Sequence, residues 1–272
     1  MNRNSSNKLF RFAFFDSRIL LFLLSLSQPA CAIWGAGSFG TITTCGVPSD
    51  QTGTIEGHWL SHPIPIAFHA GDFSPTELRE MTQALDAWNL FFGTSKSFPI
   101  FQYGSSASPQ TTNADNPTAG GLCGIASTIG TQFAEPIGIY KVAPWPQNYS
   151  SSYIALTSYC TIAGTTPSLN GTIYSTFSSA VMEINYTNFF VRGAQQPDLQ
   201  SVFLHELGHL IGLDHSCGSK INMPDCSASN IDSNYLTAVM YPIFNFDPAT
   251  LMGSQKRALG ANDESRANCL YQ

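Results

Sequence analysis

Charge is scarce in this 272-residue chain: 11% of its residues are Asp, Glu, Lys or Arg, and twelve basic against eighteen acidic residues leave a net charge of −6. Outside the N-terminus there is no Lys/Arg cluster, which excludes a nucleic-acid surface built on phosphate contacts. The N-terminal apolar run, Ile19 to Leu26, covers eight residues, too few to span a bilayer. No internal repeat and no clean linker occur, so several independent domains are not indicated. No histidine lies between His69 and His205. What is abundant is apolar surface, at 43% of residues, enough for a sizeable core.

The first 32 residues read as a cleaved export signal. Arg3, Lys8, Arg11 and Arg18 form a positive n-region, the Ile19 to Leu26 run follows, and Ala30-Cys31-Ala32 offers a small-x-small cleavage site before Ile33. Gln28 stands where a lipoprotein signal wants an aliphatic residue, which argues against lipidation of Cys31. Loss of residues 1–32 removes four basic residues and one acidic residue and takes the net charge from −6 to −9. The mature protein is then secreted, periplasmic or extracellular, without an integral membrane anchor. Six of the seven cysteines remain (Cys45, Cys123, Cys160, Cys217, Cys226, Cys269), an even number that in an oxidising compartment suits up to three disulfides. Connectivity is not readable, although Cys217 and Cys226 can close a small loop.

Residues 33–57, rich in Gly and Thr, form a loose lead-in or short pro-segment. A strand follows at Ile64 to His69, with Pro65 placing it at an edge or a strand start. Ser74-Pro75-Thr76-Glu77 is a capping box with Pro at the first helical position, and Leu78, Met81, Leu85, Trp88 and Phe92 recur at helical spacing until Gly93. The stretch around 104–180 is rich in Ser, Thr, Gly, Asn and Pro and reads as an insertion, with short strands at Ile137 to Val142 and Tyr153 to Leu156. A strand at Ala180 to Tyr186, a helix capped by Asp198 and a last helix near Asn262 to Tyr271 complete one domain over 58–272.

The chemistry is concentrated in His205-Glu206-Leu207-Gly208-His209-Leu210-Ile211-Gly212-Leu213-Asp214-His215. Histidines four apart share one helix face, so His205 and His209 can bind one metal while Glu206 faces the same cleft. Gly212 can take a left-handed conformation that ends the helix and returns His215 as a third nitrogen ligand. Three imidazoles leave a tetrahedral zinc one position for water, the pattern of a catalytic site. Glu206 is then the general base that takes a proton from the zinc-bound water and passes it to the leaving amine.

This H-E-x-x-H-x-x-G-x-x-H pattern resembles the metzincin metallopeptidases, and Ser216 after the third histidine resembles their matrixin branch, the matrix metalloproteinase catalytic-domain family. Ala238-Val239-Met240-Tyr241-Pro242 is similar to the family's Met-turn. The resemblance implies that Met240 floors the zinc site and that Tyr241 and Pro242 wall the primary specificity pocket. Asn262-Asp263 followed by Leu270-Tyr271 resembles the end of matrixin domains, with only Asp263 matching an acidic pair. It further implies an α+β, zincin-like fold: a twisted, mixed, five-stranded sheet, two long helices and a C-terminal subdomain ending in a helix. The function implied is that of a secreted, monomeric zinc endopeptidase acting on protein or peptide substrates, with one catalytic zinc; calcium is not derivable.

Departures from the family accompany the matches. Between His215 and Met240 lie 24 residues, more than in a typical matrixin, and the absence of histidines between His69 and His205 predicts that the family's structural zinc is missing. Cys45-Gly46-Val47-Pro48 resembles the matrixin cysteine switch, in which a thiolate occupies the zinc, but only 12 residues separate it from the expected cleavage point and Thr44 replaces the expected basic residue. Cys45 is thus a latency ligand or a disulfide partner. His58, His62 and His69 lack a matching carboxylate pattern and read as ordinary structural residues. Asn148, Asn170 and Asn185 open glycosylation sequons. The alternative function is a non-catalytic adhesion or binding protein that keeps a zinc-bound metzincin scaffold; Glu206, which such a protein would not need, argues against it.

Overall fold

The computed structural model describes residues 8–9, 53–118, 122–124, 135–162, 168–169 and 172–271. Apart from residues 8–9, the expected signal segment lies outside these, as do Cys45 and Asn170. In chain order the elements are β1 (Lys8–Leu9), β2 (Gly57–His58), β3 (Ile64–His69), α1 (Pro75–Lys96), β4 (Phe101–Gln102), β5 (Thr111–Thr112), β6 (Ile137–Val142) and β7 (Ala155–Ile162). There follow β8 (Ser168–Leu169), β9 (Thr172–Ile173), β10 (Ser175–Asn185), α2 (Leu199–Ile211), α3 (Ser233–Thr237) and α4 (Ala261–Leu270).

The architecture is α+β. The main sheet runs β1-β7-β10-β6-β3-β4, with β2 added to β10 and β5 to β3. It is parallel from β10 through β6 to β3 and on to β4 and β5, and antiparallel where β7 meets β10 and β1. The sheet has eight strands rather than five, because β1, β2, β4 and β5 are two-residue additions to four longer strands. The stretch around 104–180 is not simply an insertion: β6, β7 and the start of β10 fall inside it and belong to the main sheet.

β3 is an interior strand, not an edge. Pro65 is accommodated because pairing with β6 begins only at Ile66, while Ile64 and Pro65 lie against Phe101 and Gln102 on the other side. Helix α1 starts as its capping box predicts, with Glu77 N donating to Ser74 Oγ at 3.3 Å and Ser74 N to Glu77 Oε2 at 2.7 Å. It passes through Gly93 to Lys96 and ends at Ser97, which adopts φ 66°. Gly93 faces open space, and a single exposed glycine costs about 1 kcal/mol, too little to end a helix packed along its length.

Met81, Leu85, Trp88 and Phe92 on α1 pack with Phe203, Leu204 and Leu207 on α2 and with Ile64, Ile66 and Phe68 on β3 in one core. Trp88 is held there by its indole N–H, which donates to Leu204 O at 3.0 Å. Two disulfides join Cys123 to Cys160 and Cys217 to Cys226, the second as its spacing allowed. Cys269 is also disulfide-bonded. No helix among the described residues is long and apolar enough to cross a membrane.

Residues 53–57 are not a loose lead-in. They lie against the bend after α2, with Glu56 N donating to Gly212 O and Asp214 N to Thr54 O, each at 2.8 Å.

Candidate metal centre

Helix α2 is buried over its full length, which removes its histidines from water. Asp198 caps it, accepting from Ser201 N at 3.0 Å and Ser201 Oγ at 2.5 Å, and Arg257 Nε in turn donates to Asp198 at 3.0 Å. The far end is held as tightly. Gly212 takes φ 111° and donates its N–H to Gly208 O and His209 O, Trp59 Nε1 donates to Leu210 O at 2.7 Å, and Tyr271 OH donates to Ile211 O at 2.9 Å. Carbonyls that a helix end leaves without partners are thereby all used.

His205, His209 and His215 converge: each offers a ligand atom, and these atoms lie within 4.8 Å of one another. Ring centroids are 4.8 Å apart for His205 and His209, 5.3 Å for His205 and His215, and 5.0 Å for His209 and His215. Nδ1 of His205 lies 2.7 Å from Val239 O, and Nδ1 of His209 lies 2.8 Å from Leu213 O. A carbonyl only accepts, so each Nδ1 carries the hydrogen and each Nε2 presents a lone pair. Those two Nε2 atoms are 3.1 Å apart. Two lone pairs at that distance repel one another unless a cation lies between them. Zn–N bonds of about 2.0–2.1 Å at the tetrahedral angle put two nitrogens about 3.3 Å apart, so the pair fits such an ion.

Burial, followed by mutual repulsion with the neighbouring rings, holds His205 and His215 well below the usual histidine pKa, and burial brings His209 down to about 4. All three are therefore neutral near pH 7, the form that binds a metal. The His215 side chain keeps 13% of its surface exposed, but its Nε2 is buried, as are the rings of His205 and His209.

Glu206 is 1% exposed and follows the first ligand on the same helix. Its Oε2 accepts a 2.6 Å bond from Thr157 Oγ1 on β7, whereas Oε1 has no hydrogen-bond partner among the described residues. Burial pushes the carboxyl up to about 7, with the Thr157 bonds pulling the other way. A carboxyl poised near neutrality with one unengaged oxygen suits proton transfer in both directions.

Met240 is fully buried beneath this helix. A side chain on Gly208 would place its Cβ 2.2 Å from Met240 Sδ, so the glycine allows the close approach. The turn around Met240 is anchored by Asp263 of α4, whose carboxylate accepts from Val239 N at 2.7 Å and Met240 N at 3.1 Å. It touches His205 through Val239 O, and Met240 O accepts from the N–H of Ser216, the residue after His215, at 2.8 Å. Tyr241 and Pro242 follow, partly buried, with the Lys256 ammonium 4.7 Å from the Tyr241 ring centroid.

The remaining histidines are elsewhere: His58 Nδ1 lies 3.1 Å from Trp59 O, His62 stacks on Phe98, and His69 pairs with Asp72 at 2.9 Å. Thr157, Arg266, Glu56 and Lys220, which contact Glu206 or the bend before His215, carry no signal in their local sequence. No protein-family model matches the chain, and no curated protein matches it.

Proposed function

We propose that this protein is an exported zinc endopeptidase of metzincin type, with the matrixin-like fold that its motifs resemble. The observation that carries the reading is the meeting of three neutral imidazoles with a buried carboxylate whose Oε1 is unengaged. Three nitrogen donors, one short of a tetrahedral set, suit a catalytic zinc, which would supply a Lewis acid for the scissile carbonyl and acidify water.

The chain's own residues then have separate tasks. Glu206 takes the proton from the attacking water at Oε1 and returns it to the leaving amine, a cycle favoured by a carboxyl near 7. Thr157 holds Oε2 and so orients the other oxygen. Val239 O and Leu213 O fix the tautomers of His205 and His209. β7 carries Thr157, and its side away from β10 pairs, among the described residues, only with β1. An extended peptide fits such an edge through main-chain hydrogen bonds, which favours a polypeptide over a small amide.

Metal analysis with peptide-library cleavage tests the reading. Wild type should bind one zinc and cut peptides, Glu206→Gln should keep the zinc and lose cleavage, and His209→Ala should lose both. Cleavage by Glu206→Gln at the parental rate overturns the mechanism. Zinc binding without any cleavage by the wild type replaces it with the adhesion or binding role.

A further inference from the structure

The loop that delivers His215 is gripped from behind by distant parts of the chain. Residues 53–57 form a strap along Gly212-Leu213-Asp214: Ile55 bridges Leu213 in antiparallel fashion, and the bonds of Glu56 N and Thr54 O flank that bridge. Gly57 O closes on Gly212 so tightly that a Cβ there would lie 1.9 Å away. The strap thus satisfies backbone groups of the bend that would otherwise be buried without partners.

Two cations lock the arrangement. Arg266 on α4, 1% exposed, donates Nη1 to Thr54 O at 3.0 Å and to Asp214 O at 2.9 Å, holding strap and bend with one nitrogen. Its Nε donates to Asn262 Oδ1 at 3.0 Å, which sets the guanidinium plane. Lys220 Nζ contacts the carboxylates of both Glu56 and Asp214. Asp214 is the residue before the third ligand, and its Oδ1 accepts from His215 N at 2.7 Å. A shift of strap, Arg266 or Lys220 is therefore transmitted to His215 through one residue.

We infer that Arg266, Lys220 and the strap at 53–57 are positioning elements of the metal centre, and that N-terminal maturation leaves the chain intact from Gly53 onward. The inference rests on the three histidines binding zinc. It makes part of the segment that resembles a removable lead-in a working part of the enzyme.

The test titrates the metal-stripped full chain with zinc against a chelating dye and records the visible spectrum of the cobalt-substituted protein. Lys220→Met and Arg266→Gln should weaken zinc binding about 10- to 100-fold and alter the cobalt spectrum, with Arg266→Lys recovering part of both. Should Arg266→Gln fail to fold, Lys220→Met decides, because the Lys220 side chain is 46% exposed and lies outside the apolar core. Wild-type affinity and spectrum in a folded Lys220→Met protein overturn the inference while leaving the zinc reading in place. Absence of zinc binding in the wild type overturns both. N-terminal sequencing of the exported protein should find a start at or before Gly53, and a start beyond Gly53 also overturns the inference.

Discussion

Thr157 on β7 and Glu206 on α2, 49 positions apart, are joined by a 2.6 Å hydrogen bond from hydroxyl to carboxylate. It links the strand bordering the metal centre to the group proposed to move protons. Thr157→Val keeps the shape and removes the donor, which for a bond to a charged group corresponds to about 1.5–3 kcal/mol, or roughly tenfold or more in kcat/KM. Thr157→Ser should restore most of it. Equal rates for Val and wild type would show that the bond has no part in the reaction.

Zinc binding should also appear in the stability of the fold. A ligand at about 100 times its dissociation constant stabilises the native state by about 2.7 kcal/mol, or roughly 5–10 °C in Tm for a domain of this size. Thermal melts of the chelator-treated protein with and without added zinc measure this difference. An unchanged Tm would count against the metal centre.

Acid should weaken the junction between α1 and the sheet. Burial acts to raise the Glu77 carboxyl, but bonds from Tyr186 OH, Ser74 N and Lys141 Nζ prevail and bring it to about 2 from an ordinary 4.5. A folded pKa below the unfolded one gives stability that is complete above 4.5 and lost as pH falls towards 2. Because Glu77 is partly exposed, screening limits the contribution to about 1 kcal/mol. Denaturant titrations at neutral pH and at about pH 3 should show Glu77→Gln less stable than wild type at the first, with the difference reduced to roughly half at the second.

Gly208 and Met240 should be energetically coupled. Gly208→Ala places a methyl against Met240 Sδ, whereas Met240→Ala alone opens a cavity at a cost of about 2–5 kcal/mol. The double variant relieves the clash, so its loss should fall short of the summed single losses by about 1 kcal/mol or more. Strict additivity in urea titrations would contradict the contact.

Much of this site is legible in the residues because its determinants are local. The α1 cap, the His205/His209 pair, the Gly212 bend and the Cys217–Cys226 loop each lie within a few positions of the feature they specify. Thr157 is different: strand alternation says which residues share a face but not which helix covers that face. Pro65 suggested an edge or a strand start, and it lies at the start of an interior strand, which begins at Ile64 and pairs with β6 only from Ile66. Gly93 suggested a helix end on propensity, which packing along α1 outweighs. The role of residues 53–57 depends on Arg266, more than two hundred positions away, and no local pattern encodes that contact.

The participation of Thr54, Arg266 and Tyr271 around the bend at Gly212 bears on when the proposed zinc ion is acquired. The contact of Arg266 with Thr54 joins parts of the chain more than two hundred positions apart, so on the proposed zinc reading the frame that aims the third imidazole is complete only once α4 has docked.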